Sequence, residues 1–165
     1  EDKKLKTDQL LMTAPVSVGD IVLGKFFAAL GVFLLGALIT VIYPITLAFY
    51  GELPIAETIS CYIGFILLCS VILAIGAFMS SLTDSQIVAA VTTYGIIIFI
   101  LLLGTAAQYI PNETISSVLL WLSPIQRFSD FTLGMLNFEP VIYYLSLTGM
   151  LLFLTMMVFE RRRLR

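Results

Sequence analysis

Side-chain chemistry needs a nucleophile beside a base, a pair of carboxylates, or a set of metal ligands. This 165-residue sequence has no histidine and two cysteines. Cys61 and Cys69 stand eight apart on one expected helix, about 12 Å along its axis and too far to bridge, so both read as structural filler. No G-x-x-x-x-G-K-[ST] phosphate loop occurs, so the chain is not itself an ATP motor. What remains is charge pairing and docking rather than bond making. Arg127 and Asp130 are three apart, and a helix would pair them. Glu52 and Glu57 share the segment Gly51–Glu57 with no Lys or Arg. Thr83 and Gln86 have capping-box spacing, which places Thr83 to satisfy N–H groups opening a helix.

The densest polar run is the opening stretch EDKKLKTDQLLMTAPVSVGDIVLGK, residues 1 to 25. Glu1, Asp2, Lys3, Lys4, Lys6 and Asp8 precede a short apolar ridge of Leu10, Leu11 and Met12. Pro15 lacks an N–H and disfavours helical geometry before it, so a helix stops near Ala14. Val16 to Lys25 re-enters a helix, with Ser17 and Asp20 placed as caps. Such a stretch suits a membrane surface, gripped by something soluble. A solvated tether ahead of a membrane helix is the plainer reading of the same residues.

The elements behind these residues are set by composition. Apolar residues make up 59% of the chain and charged residues 12%, with a mean hydropathy of +1.03. Phe26–Gly51, Thr58–Thr83, Ser85–Asn112 and Pro140–Phe159 carry no charge. Each meets the ~20 residues that cross a ~30 Å hydrocarbon core, and in lipid a backbone must bond to itself, so each is expected to be a helix. The fold class is therefore all-α, a polytopic membrane bundle with spans at about 21–50, 56–79, 86–109 and 139–159. Residues 1–20 form a separate segment ahead of this domain, 21–165. Gly24, Ala28 and Gly31 share a face on which a helix can approach closely. Pro44 is expected to kink the first span and leave the carbonyl near Thr40 without its usual partner.

Residues 113–136 break the pattern. Ile115–Leu122 is too short to span, Ser123-Pro124 interrupts it, and Gln126–Leu136 reads as a second amphipathic piece. Trp121, Phe128 and Phe131 suit an interface. Two half-helices dipping into one leaflet are expected, against a loop lying flat on the surface. Lys3, Lys4, Lys6, Lys25 and the tail Arg161, Arg162, Arg163 and Arg165 account for eight of the nine basic residues. Four spans put all eight on one side, cytoplasmic by the positive-inside rule, with the half-helices outside. Topology explains the arginine tail, so nucleic acid is not expected as a partner.

LLMTAPVSVGDIVLGKFFAAL, SSLTDSQIVAA, LSPIQRFSDFTLG and VIYYLSLTGMLLFLTMMVFERRR resemble, in order and spacing, the permease subunits of type-2 ATP-binding-cassette exporters. The branch resembled includes gliding-motility and nitrous-oxide-reductase-maturation permeases. The resemblance implies six spans, of which this chain carries the last four, the natural N-terminus preceding Glu1. It implies a cytoplasmic coupling helix at Thr7, Asp8, Gln9, Leu10, Leu11, Met12, Thr13 and Pro15 that docks on a partner ATPase. It also implies a pair of short outer helices bearing Trp121, Pro124, Arg127, Phe128, Asp130 and Phe131. Where the family reads Gly-Thr-Leu-Glu-Leu-Leu, this chain has Lys6, Thr7, Asp8, Gln9, Leu10 and Leu11.

The function expected is that of a permease in an ATP-driven exporter of the cytoplasmic membrane, embedded in the lipid bilayer with both chain ends inside. Its partners would be a cytoplasmic ATPase and a second permease chain, in a homo- or heterodimer. No cofactor is expected on this chain, and ATP and Mg would sit on the ATPase, where hydrolysis occurs. Two alternatives are a non-transporting membrane scaffold or assembly protein and an ion-coupled secondary transporter. Charge-free span cores argue against the second, because ion coupling uses ionisable groups or broken helices at the midplane.

Overall fold

The computed structural model describes residues 17–51, 54–135 and 137–163. Helix α1, Val18–Thr40, opens with a reciprocal cap: the Ser17 hydroxyl accepts from the Asp20 N–H at 3.1 Å and donates to the Asp20 carboxylate at 2.6 Å. The first contact satisfies an orphan N–H of the first turn, and the second holds a carboxylate where it suits the helix dipole. The kink expected from Pro44 is a joint at Val41, after which α2 runs Ile42–Tyr50. Proline offers no N–H to the Thr40 carbonyl, and the Val41 N–H tightens back to the Leu38 carbonyl at 3.2 Å. The Thr40 hydroxyl donates to the Ala37 carbonyl at 2.7 Å and meets the Tyr62 hydroxyl at 3.1 Å, so the joint is tied to the next span.

That span is α3, Ile55–Leu82, followed by α4, Gln86–Ala107. Thr83 ends α3: its hydroxyl donates to the Met79 carbonyl at 3.3 Å and the Ser85 carbonyl at 3.4 Å, and the N-cap position of α4 falls to Ser85. The two short helices are α5, Glu113–Leu122, and α6, Pro124–Thr132. Helix α6 starts at Pro124 and not Gln126, because proline's fixed φ and missing N–H suit a first helical position. It ends four residues before the expected Leu136, and Gly134 takes φ 74° in the turn that follows. Helix α7, Phe138–Arg163, begins two residues ahead of Pro140, which falls in its first turn.

Four stretches are long and apolar enough to cross a membrane: Val18–Tyr50, Ile55–Leu82, Gln86–Ala107 and Phe138–Arg161. Their outer faces carry exposed Phe27, Leu35, Ile98, Phe99 and Phe153, which water would not tolerate in such density. No strand occurs among the described residues. Helix α3 lies at the centre, packed chiefly on α7 and also against α1, α4 and α6. One cluster joins Val22 and Phe26 of α1 to Ala74 and Leu152. The other joins Val71 and Ile75 of α3 to Phe131 of α6 and Tyr144 of α7. Lipid supplies little hydrophobic drive between helices, so close packing and buried polar links matter more. One such link is Ser70 to Thr148, 3.2 Å between hydroxyls of α3 and α7.

Candidate functional site

The half-helices are built onto the bundle by specific contacts. Asn112 caps α5 by accepting from the Thr114 N–H at 3.2 Å, and the Ser116 hydroxyl donates to the Ala107 carbonyl at 2.8 Å, strapping α5 to the end of α4. At the joint between them, buried Ser123 lies so near Gly104 that a Cβ there would sit 2.7 Å from its Oγ. The hydroxyl of fully buried Tyr144 donates to the Pro124 carbonyl. Phe131 is 0% exposed and seated on Gly64 of α3, where a Cβ would come within 2.6 Å of its ring. The Cys61 thiol donates to the Phe131 carbonyl at 3.6 Å, and Phe128 packs half-buried on the same cluster.

Arg127 is the charged centre of this end. It is only 9% exposed, with its guanidinium carbon 5.1 Å from the Trp121 ring centre and 5.0 Å from that of Tyr143. Its Nε donates to the Trp121 carbonyl at 3.3 Å and its Nη1 to Glu139 Oε1 at 2.7 Å. The expected Arg127–Asp130 pair does not form. Turning inward between two aromatic faces carries the guanidinium to the first turn of α7, where a carboxylate is favoured by the helix dipole. Asp130 stays half-buried on α6. The Glu139 side chain is 73% exposed, so the pair is dry on one side and wet on the other. This arrangement fixes α5, α6 and α7 to one another and offers no nucleophile beside a base. Among the described residues no group of three or more His, Cys, Asp or Glu stands ready to hold a metal.

At the opposite end, beside Ser17 and the turn at 83–85, a cleft of about 600 Å³ opens between α1, α3, α4 and α7. Polar Lys25, Asp84 and Gln86 line it together with apolar Phe26, Leu73 and Ile97. Its size and mixed lining suit an amphipathic guest or a neighbouring helix. The expected docking residues Thr7, Asp8, Gln9, Leu10, Leu11, Met12, Thr13 and Pro15 lie outside the described residues.

Of the residues singled out from sequence, the structure gathers Trp121, Pro124, Arg127, Phe128 and Phe131 into one assembly. Sequence reasoning missed Glu139, Tyr143, Tyr144 and Gly64 in it. A signal for Glu139 was present: an acid directly before Pro140, where a helix was due to start.

No curated protein and no solved structure matches the chain. The profile described as "ABC-2 family transporter protein" matches residues 1–160, nearly the full length and all four apolar spans. The chain belongs to that family, as a multi-pass membrane permease subunit of an ATP-binding-cassette transporter.

Proposed function

We propose that this permease serves an exporter, in the cytoplasmic membrane, with the Ser17 end and the α7 tail inside and the half-helices outside. A cytoplasmic ATPase holds ATP and Mg and hydrolyses the nucleotide. A second permease chain, identical or related, completes the transporter, and two further spans precede the four described. The resemblance to the gliding-motility and nitrous-oxide-maturation branch supports the direction. The observation that carries the reading is the family match over 1–160, taken with charge-free spans that leave energy to be supplied from outside the membrane. The Ser17-end cleft suits the reading, because it lies where movement delivered by residues 7–15 would arrive first.

The experiment compares Leu11→Asp with Leu11→Met in the complete transporter. If the Leu10–Met12 ridge fills a groove on the ATPase, each side chain buries area worth roughly 1.5–3 kcal/mol. Leu11→Asp should then lose the ATPase on purification and lose transport, while Leu11→Met keeps both. Equal retention of both by the two variants would make the opening stretch a solvated tether. A complex whose ATPase no transported compound stimulates would favour the scaffold reading.

A further inference from the structure

We propose that the cleft between α2 and α3 is a binding site for an organic cation with an apolar body. The cleft is open on its outer side, where Tyr50 is 92% exposed, and measures about 670 Å³, in the range used for small molecules. Tyr43, Pro44 and Tyr50 of α2 face Glu57 and Tyr62 of α3 across it, and Thr132 closes one side. Among the described residues it is lined by three phenol rings and one carboxylate, and by neither Lys nor Arg.

Aromatic faces are negative and attract a cation, most strongly where water is thinned out. A carboxylate beside them adds a charge of the right sign at close range. An anion would meet repulsion from every charged or π group in this lining, and a neutral apolar guest would cover Glu57 without a partner for it. The ligand chemistry that satisfies all of them is a soft positive charge carried on hydrocarbon or aromatic groups.

Contacts place the α3 wall, while α2 supplies the other wall with no buried residue of its own. The Tyr62 hydroxyl is held by Thr40 at the α1–α2 joint, 3.1 Å away. Glu57 is held from the other side: Gly134, at φ 74°, lies so close that a Cβ there would be 3.0 Å from the Glu57 Cγ. The turn that ends α6 therefore packs on the stem of Glu57, and the residue as a whole remains exposed. Tyrosines are common where membranes meet water, but an interfacial belt requires no cavity and no carboxylate among them.

The test is equilibrium dialysis of the full-length protein in uncharged maltoside micelles against tetraphenylphosphonium and tetraphenylborate. These ions share size and shape and differ in sign, and each is corrected for protein-free micelles. Saturable binding of tetraphenylphosphonium alone is expected. Glu57→Gln keeps the stem against Gly134 and should weaken it about tenfold; Tyr50→Leu, at an exposed residue, should weaken it about threefold. Glu113→Gln, an exposed carboxylate on α5, should leave it unchanged. Equal uptake of the two ions, or full affinity in Glu57→Gln, overturns the proposal. Should Glu57→Gln fail to fold, full affinity in Tyr50→Leu overturns it instead. Neither ATPase nor nucleotide is present, so a negative result removes this site and leaves the export reading to its own experiment.

Discussion

The two ends of the bundle are built on different principles. At the half-helix end, α5 and α6 are fixed by the Tyr144–Pro124 bond, the Arg127–Glu139 pair and the seating of Phe131 on Gly64. At the Ser17 end the same four spans leave a cleft of about 600 Å³. Along α1, a Cβ added at Gly24, Gly31 or Gly36 would meet nothing within 4 Å. The joint around α6 is closed by directional bonds, whereas the Ser17 end, like the α2–α3 cleft beside that joint, keeps open volume. In a transporter that contrast assigns the moving parts: an end tied by directional bonds transmits force as a unit, and an end with open volume can change shape at low cost.

The contrast is most sharply broken by adding one methyl group at a packed glycine and one at an open glycine. Gly64→Ala drives a Cβ into the Phe131 ring, which is fully buried and has nowhere to go, and should lower stability by about 3 kcal/mol. Gly31→Ala should change it by no more than about 0.5 kcal/mol. Thermal unfolding of the two variants in detergent measures the difference, and similar losses would mean that the two positions are equally packed.

The charged centre gives a smaller effect. A double-mutant cycle of Arg127→Met with Glu139→Gln should show a coupling of about 1 kcal/mol, held down by solvent on the Glu139 side. The cycle with Asp130→Asn should be additive within about 0.4 kcal/mol. Equal couplings would return Arg127 to the local i,i+3 pairing. Smaller still, Ser70→Ala should cost about 0.6 kcal/mol by removing the hydroxyl link to Thr148. That link lies between the two ends, so a loss above about 2 kcal/mol would move the rigid part of the molecule toward its middle.

The spans were legible because lipid leaves a backbone one choice, and a charge-free run of sufficient length states it. The joint in the first span was legible too, since Pro44 removes one particular N–H. Partner choice was not. The spacing of Arg127 and Asp130 describes a helix surface, whereas the position of Glu139 depends on how α7 starts beneath α5 and α6. Gly64 illustrates the same limit. It is one of eleven glycines, common in membrane helices, and only the arrival of Phe131 from 67 positions away gives it a role. Thr83 shows a third case: its hydroxyl reaches back to the Met79 carbonyl of the helix it ends and forward to the Ser85 carbonyl at the start of the next.

The joint at Val41 also bears on membrane thickness. Val18–Tyr50 contains 33 residues, about 50 Å as one rod, against a hydrocarbon layer of about 30 Å. Helix α1 with its 23 residues spans that layer alone, so the nine residues of α2 are surplus length. No residue of α2 is buried, so little holds its slope. A thicker bilayer would draw α2 upright in line with α1, and a thinner one would lay it toward the headgroups. Either movement changes the distance from Tyr43 and Tyr50 to Tyr62, so bilayer thickness would set the width of the α2–α3 cleft.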